Sequence, residues 1–251
     1  MTDDKYGTKW SEDETILAFY YYCQISFGKI HKGNPEIIRI ASLLGRTPSS
    51  VSRKMGNLGH FDPELRKRSI SGLSNASKTN AEVVSRFFNN WEDLTFRANA
   101  IEASLSRAGE EQFPVGGEIV RTSKARINQN FFRETVLSSY QDRCCITGIN
   151  NPELLIASHI KPWAASDPET ERTNPRNGLC LNALHDKAFD KGLITVLPDF
   201  TIMVSSKLKS GKGNCGMEWL VQCDMKRIQL PERFSPQKEF LEYHNDVIFV
   251  P

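Results

Sequence analysis

His159, Asn177 and His185 lie in this order within the short block Leu155–Thr195. Phosphodiester hydrolysis requires a base that activates water and a divalent cation that neutralises the scissile phosphate and stabilises the departing 3′-oxygen. A neutral imidazole suits the first task, and a second imidazole together with an oxygen ligand suits the second. The residue types therefore predict a metal-dependent phosphodiesterase site.

Local patterns predict how these side chains are positioned. The run LLIASHI is apolar and partly β-branched, which predicts a short strand with His159 at its end. Asn177-Gly178 is a turn signal that precedes a second short strand, Leu179 to Leu181. The segment NALHDKAFDKG then predicts a helix that starts near Asn182 and is stopped by Gly192. Strand, loop, strand and helix bring His185 back towards His159.

The ordered set SHI, NPRNGLCL and LHDKAFD resembles the motif of HNH endonucleases, which have a ββα-metal fold. His159 matches the first His of that family, Asn177 its Asn, and His185 its last His. The resemblance implies that His159 is the general base, that Asn177 holds the loop and the base in position through hydrogen bonds, and that His185 binds the metal. A wider likeness to bacterial restriction-endonuclease-like HNH proteins runs from Asn128 to the C-terminal LPERFSPQKEFLEYHNDVIF.

The sequence departs from the family pattern at the metal site. Many members have Asp or His immediately before the first His, where this chain has Ser158. A neutral hydroxyl is a weaker ligand for a hard cation than a carboxylate. Either Ser158 binds through water, or Asp190 or Asp186 takes its place. We predict Mg²⁺ or Mn²⁺ held by His185 and these oxygen ligands.

The cysteine pattern argues against a structural zinc ion. Cys144 and Cys145 are adjacent, which is wrong for two ligands of one tetrahedral zinc, and Cys180 lies in the second predicted strand. Paired C-x-x-C knuckles are absent from the sequence. We therefore predict no structural Zn²⁺.

Composition narrows the class of protein. The chain has 251 residues, 39% of them hydrophobic, and a net charge of +2. Its longest apolar runs are far shorter than a membrane span, and MTDDKYGTKW lacks an apolar signal region. These features predict a cytoplasmic protein with no membrane partner and with its six cysteines reduced.

The N-terminal part predicts a DNA-binding module. Ser11 and Glu14 form a capping-box signature, Asn34-Pro35 opens a second helix, and Thr47-Pro48 opens a third. The segment ASLLGRTPSSVSRKMGNL resembles a helix-turn-helix motif. Its turn and outward positions predict the residues that contact double-stranded DNA: Arg46, Ser49, Ser50, Arg53 and Lys54.

Charge supports this prediction. Between Arg46 and Lys78 there are seven basic residues and two acidic ones. Such a local excess attracts phosphates even though the whole chain is nearly neutral. Compact three-helix packing without a DNA role is the alternative interpretation of the same pattern.

Residues 69–80 and the segment GEEQFPVGG are predicted linkers, because they offer little to bury. Between them, one long helix from 81 to 108 with an apolar stripe is predicted. One HNH site cuts one strand, so double-strand breaks require two copies, and this helix is the candidate contact for a homodimer.

After the HNH-like block, LITVLPDFTIMVSSKL predicts a β-hairpin with its turn at Pro198-Asp199. WLVQC predicts a further strand, and PQKEFLEYHNDVIF predicts a terminal helix followed by a closing strand. These elements form the predicted C-terminal β extension of the nuclease domain.

The sequence thus predicts an α+β protein with a helix-turn-helix-like domain (1–68), a linker and helical connector (69–127) and a ββα-metal nuclease domain (128–251). The predicted function is a metal-dependent DNA endonuclease, and the resemblance implies restriction of invading DNA, at a specific site or at modified bases. The rival is a DNA-binding regulator with a degenerate HNH domain. An RNA-directed nuclease is the weaker rival, because the aromatic-basic motif of common RNA-binding sheets is missing.

Overall fold

The computed structural model describes residue 5 and residues 7–69, 77–106, 117–210 and 215–251, and for 117–124, 215 and 216 it describes the backbone alone. The chain divides into two compact units, Met1–Thr135 and Val136–Pro251. Helices dominate the first unit, and the two small antiparallel sheets lie in the second. The predicted α+β class is confirmed.

The first helix, α1 (Glu12–Gln24), forms the centre of the N-terminal unit. The predicted capping box is present, because the Ser11 hydroxyl accepts from the Glu14 amide and the Glu14 carboxylate accepts from the Ser11 amide. Every residue from 14 to 23 of this helix is buried. A helix that is buried on all sides must have neighbours on all sides. The helices that pack against it are α3 (Pro48–Leu58), α5 (Lys78–Phe87) and α6 (Trp91–Ser106).

Helices α2 (Pro35–Leu44), α3 (Pro48–Leu58) and the short α4 (Pro63–Lys67) follow. The predicted caps are present: Asn34 accepts from Glu36, Thr47 accepts from Ser50, and Gly45 ends α2 in the left-handed conformation at φ 63°. The three predicted helices and the tight turn between α2 and α3 are therefore confirmed.

The predicted long helix from 81 to 108 is wrong as a single element. Helix α5 (Lys78–Phe87), capped by Ser77, ends before α6 (Trp91–Ser106) begins. Most of the apolar stripe is buried inside the N-terminal unit, where Trp91 lies beside Phe19 and Phe131. Its remaining members are half-buried: Phe88, Ile101 and Leu105. The stripe therefore does not supply the exposed surface on which the homodimer prediction rested. The predicted linker segments fall largely on 70–76 and 107–116, outside the described residues.

Helix α7 (Gly117–Ser139) includes the predicted helix FFRETVLSSY and continues from the first unit into the second. In the second unit, β1 (Leu155–His159) pairs antiparallel with β2 (Gly178–Asn182), and α8 (Ala183–Asp190) follows directly. The predicted hairpin is confirmed as β3 (Ile194–Val196) paired with β4 (Ile202–Val204). Helix α9 (Ser206–Lys209) comes next.

Two predictions for the C-terminal segment are wrong. WLVQC is not a strand, because Trp219 to Val221 belong to helix α10 (Cys215–Val221). The closing strand is also missing: α11 (Lys238–Tyr243) continues as a π-helical segment, His244–Ile248, and the Val250 amide bonds to the Gly192 carbonyl. Gly192 has φ +64°, and a Cβ there would lie 2.1 Å from the Ile248 carbonyl oxygen, so this close approach requires glycine.

Among the described residues, every helix is too short or too polar to cross a membrane.

Candidate active site

The β1–β2 hairpin and helix α8 carry the three residues that sequence analysis selected. His159 is the last residue of β1 and lies opposite Gly178, the first residue of β2. Helix α8 packs on both strands, and its third residue is His185. The local order strand, loop, strand, helix was predicted from the sequence and is confirmed.

His159 is half-buried and has a defined tautomer. Its Nε2 lies 2.9 Å from the carbonyl oxygen of Arg172. A carbonyl only accepts, so Nε2 carries the proton in the neutral ring and Nδ1 carries the lone pair. Burial lowers the pKa of His159, and this outweighs the carbonyl, which raises it. The ring also meets the edge of Trp163, with centroids 5.5 Å apart. A neutral imidazole in this tautomer is able to accept a proton.

Asn177 is fully buried between β1 and β2 and binds the loop that follows His159. Its Oδ1 accepts from the Lys161 amide at 2.8 Å, and its Nδ2 donates to the Lys161 carbonyl at 3.2 Å. Nδ2 also lies within bonding distance of the Ser166 hydroxyl and the Glu171 carbonyl. The Asn177 carbonyl accepts from the Ile160 amide. One side chain and its backbone therefore close the loop between His159 and β2.

The same loop is crossed by further polar contacts. Lys161 forms an ion pair with Glu171 at 2.6 Å. The Arg172 Nε donates to the carbonyls of Trp163 and Ser166. These bonds fix the backbone of Arg172, whose carbonyl orients the His159 ring.

His185 is fully buried at the start of α8. Its Nδ1 lies 3.0 Å from Nδ2 and 3.1 Å from Oδ1 of Asn182, the residue that caps the helix. When Nδ1 donates to that oxygen, the lone pair resides on Nε2, which is the tautomer that a metal-binding histidine requires. Nε2 is buried and has no hydrogen-bond partner among the described residues. The edge of His185 packs against Trp219, with ring centroids 5.0 Å apart.

The oxygen ligands that we predicted lie in different environments. Ser158 is buried, whereas Asp190 is exposed at the end of α8. Asp186 is half-buried beside Ser158: burial raises its pKa, the Asp190 carboxylate adds to the rise, and the Ser158 hydroxyl lowers it. The Ser158 Oγ is buried and forms no hydrogen bond with a described residue.

A metal ion thus finds a partial set of ligands. The orphaned Nε2 of His185 and the buried Ser158 hydroxyl fit a ligand role, and Asp186 is the nearer of the two carboxylates to Ser158. In the described part of the chain, no three His, Cys, Asp or Glu side chains form a group that could hold a metal by themselves. Mg²⁺ in nucleic-acid enzymes is commonly held by one or two protein ligands, with waters and substrate phosphate completing the shell. The absence of structural zinc stays a prediction.

The five predicted DNA contacts are placed together but do not all point outward. Ser49 and Arg53 are exposed and Ser50 is half-buried. Lys54, predicted to face outward, is 5% exposed. The Arg46 guanidinium is also buried, and it bonds to Glu14 at 2.7 Å and to the carbonyls of residues 8 and 9. The outward orientation predicted for Lys54 is therefore wrong, whereas Arg46 lies at the turn between α2 and α3, as predicted.

Several residues of the site were missed by sequence analysis. Asn182 combines a helix cap with a contact to His185, and its position directly before ALHDKAFD was the available signal. Trp219 lies far away in the sequence and carried no motif. Arg172 contributes a backbone carbonyl, which no residue type reveals.

Comparison with known proteins identifies the same region. Residues 144–197 match the family model described as HNH endonuclease. The predicted resemblance to HNH endonucleases is thereby confirmed for this segment, which contains His159, Asn177 and His185. A search of curated proteins found no match to the chain.

Proposed function

We propose that this protein is a metal-dependent endonuclease that hydrolyses phosphodiester bonds in DNA. The observation that carries the proposal is the pairing of two histidines in one hairpin-and-helix unit: His159, neutral and proton-accepting, and His185, with a buried Nε2 that lacks a partner among the described residues. The family match over residues 144–197 supports a nuclease in general.

His159 acts as the general base in this proposal. Its Nδ1 accepts the proton of the attacking water, and the positive charge that forms on the ring is stabilised by the Arg172 carbonyl at Nε2. Asn177 keeps the backbone of residues 160–171 closed, so that the ring keeps its orientation. The general base and the loop that orients it are therefore both supplied by side chains and backbone of this protein.

His185 Nε2, Ser158 and one carboxylate, Asp186 or Asp190, would hold a divalent cation, Mg²⁺ or Mn²⁺. When bound, the cation supplies charge stabilisation of the scissile phosphate and of the departing oxygen. Burial keeps His185 neutral by lowering its pKa, and a neutral imidazole is the form that binds metal.

We further propose that the substrate is double-stranded DNA and that the biological role is restriction, at a defined sequence or at modified bases. The exposed Arg53 and Ser49 at the start of α3 supply contacts to the DNA backbone. Two copies act together where both strands are cut, so we propose a homodimer on DNA. The cytoplasm is the expected location.

The test is cleavage of unmodified and cytosine-methylated plasmid by wild type and by His159→Ala, with Mg²⁺, with Mn²⁺ or with EDTA. We expect metal-dependent fragments and a rate at least about a hundredfold lower in His159→Ala, since a general base contributes that much or more. The control is His31→Ala, because His31 is exposed in the other unit. DNA affinity should be nearly the same in all three proteins.

A second candidate is a DNA-binding regulator whose nuclease half has lost activity. It is favoured by Ser158 at the family's acidic position and by the lack of a three-ligand group among the described residues. Intact plasmid in every lane, together with retained DNA binding, would replace the nuclease proposal with this one.

A further inference from the structure

A cavity of about 510 Å³ opens in the N-terminal unit beside the first turn of α3. Its walls come from residues between 5 and 10, from Arg46, from α3 between residues 49 and 57, and from the start of α5. Sites for small molecules typically have roughly 300–1,000 Å³. The cavity therefore has the size of a ligand site.

Four basic residues line this cavity, and among the described residues no acidic side chain lines it. Two of them form ion pairs with Glu14, which does not line the cavity: Arg46 at 2.7 Å and Lys5 at 2.8 Å. The other two, Arg53 and Lys54, form no ion pair with any described residue. One carboxylate, Glu14, thus pairs with two of the four cationic side chains, and the cavity has a positive excess.

Lys54 is the unusual member of the set. It is 95% enclosed by the protein, and its ammonium bonds to a neutral amide oxygen of Asn80 and lies 5.0 Å from the centroid of the Trp10 ring rather than against a carboxylate. An ammonium removed from water without a counter-charge is unfavourable. Burial lowers the pKa of Lys54 to about 8, with Arg46 adding to the effect and Glu14 opposing it. An anion in the cavity would supply the missing charge.

The geometry around Lys54 suits a phosphate. Ser77 and Asn80 at the start of α5 fix the ammonium, since Asn80 Oδ1 accepts from both Lys54 and the Ser77 hydroxyl. Ser49 and Ser50, which also line the cavity, lie in the first turn of α3, where the helix dipole is positive and hydroxyl donors are available. Cations and hydroxyls converge on one space.

We propose that this cavity binds the phosphate group of a nucleotide-sized ligand, with Lys54 and Arg53 as cationic contacts and the first turn of α3 as a source of hydrogen bonds. The phosphate belongs either to a free mononucleotide or to the 5′ end of a DNA strand. The nuclease chemistry of His159, Asn177 and His185 uses none of these residues and can fail alone. Arg53 and Ser49 are also the residues proposed above to contact duplex DNA, so in this respect the site rests on the proposed function, and the oligonucleotide without a 5′-phosphate distinguishes the two roles.

The experiment is isothermal titration calorimetry on the full chain in EDTA, where cleavage cannot occur. The probes are deoxyadenosine 5′-monophosphate, deoxyadenosine, inorganic phosphate, and one oligonucleotide with and without a 5′-phosphate. We expect the monophosphate to bind and the nucleoside to give no signal. Lys54→Met should weaken binding at least about tenfold, because a hydrogen bond between charged groups is lost.

The matched control is Lys67→Met, since Lys67 is an exposed lysine of the same unit outside the cavity, and it should change affinity by less than about twofold. Arg53→Gln is the second variant, because an exposed side chain is replaced without disturbing the core; it should weaken binding severalfold. Preference for the 5′-phosphorylated oligonucleotide over the mononucleotide would identify a strand end as the source.

Absence of binding by every phosphate-bearing probe would overturn the proposal. Equal affinity in Lys54→Met and Lys67→Met would also overturn it, as would nucleoside binding as tight as that of the monophosphate. If Lys54→Met fails to fold, an unchanged affinity in Arg53→Gln would overturn the proposal.

Discussion

The two units stabilise their important side chains by different means. In the N-terminal unit, long helices enclose an aromatic core in which Phe19, Trp91 and Phe131 stack. In the C-terminal unit, the candidate active site is built from two five-residue strands and an eight-residue helix, and hydrogen bonds from Asn177 and Asn182 fix the loop and the histidine. Packing tolerates change at the surface, whereas a hydrogen-bonded site depends on single polar atoms.

The largest loss of stability is expected when a large side chain is removed from the N-terminal core. Trp91 is 1% exposed, so Trp91→Ala should reduce the free energy of unfolding of that unit by about 3–5 kcal/mol. Hydrogen exchange read by mass spectrometry should show faster exchange in 12–24 and 91–106. The control is Phe96→Ala on the same helix, where the ring is 58% exposed and little change is expected. Equal effects of both variants would remove aromatic packing as the basis of this unit.

The two units should lose stability at different pH as the solution is acidified. Burial lowers the pKa of His244 in the C-terminal unit from 6.5 to about 4. The unfolded state therefore takes up a proton first, and stability falls from pH 6.5 to about pH 4, by about 3 kcal/mol from this residue. Burial lowers the pKa of His159 and His185 as well, which adds to the loss.

The N-terminal unit should stay folded to a lower pH than the C-terminal unit. The pKa of Glu14 is lowered from 4.5 to about 2: burial raises it, but hydrogen bonds from Arg46 and Lys5 outweigh that effect. Its contribution is complete above pH 4.5 and is lost towards pH 2, roughly 2 kcal/mol after allowance for solvent screening.

Exchange measured at pH 7 and pH 5, corrected for the intrinsic rate, should show the C-terminal peptides opening first. His244→Gln should shrink that difference and His31→Gln should not. Simultaneous opening of both units would contradict the assignment.

Asn177→Ala should cost the C-terminal unit about 2 kcal/mol, because the buried Lys161 backbone groups lose their partners. Cleavage should fall as well, since the loop carries the Arg172 carbonyl that orients His159. The comparison is Asn151→Ala, which removes an exposed asparagine that caps the Glu153 amide. This change should reduce the free energy of unfolding by only about 0.5 kcal/mol. Urea denaturation and plasmid cleavage measure both effects; an equal cost in the two variants would contradict a special role for Asn177.

Local signals explain what sequence analysis predicted correctly. The caps Ser11, Asn34 and Thr47 act through side chains that bond to amides two or three residues away, so their effect is contained in the local sequence. The β1–β2–α8 unit follows from such signals together with short apolar runs. For the same reason His159, Asn177 and His185 could be located before the structure was known.

The errors arise where distant parts of the chain decide the outcome. The five residues of WLVQC suit a helix or a strand equally, and only tertiary packing, with Trp219 on His185, separates the two. Lys54 has the composition of a surface residue, but Ser77 and Asn80, more than twenty positions away, enclose it. No periodicity in the sequence contains that information.

The smallest effect concerns the carboxylate of the proposed metal site. Asp186 lies beside Ser158 and has a raised pKa, so a cation there would relieve its repulsion with Asp190. Asp186→Asn should raise the Mg²⁺ concentration for half-maximal cleavage about tenfold, equivalent to about 1.4 kcal/mol of binding free energy. Asp190→Asn tests the alternative ligand, and the exposed Asp246→Asn is the control. A shift in Asp190→Asn alone would assign the ligand to the exposed carboxylate, whereas no shift in either variant would leave His185 and Ser158 as the protein's contribution to the metal site.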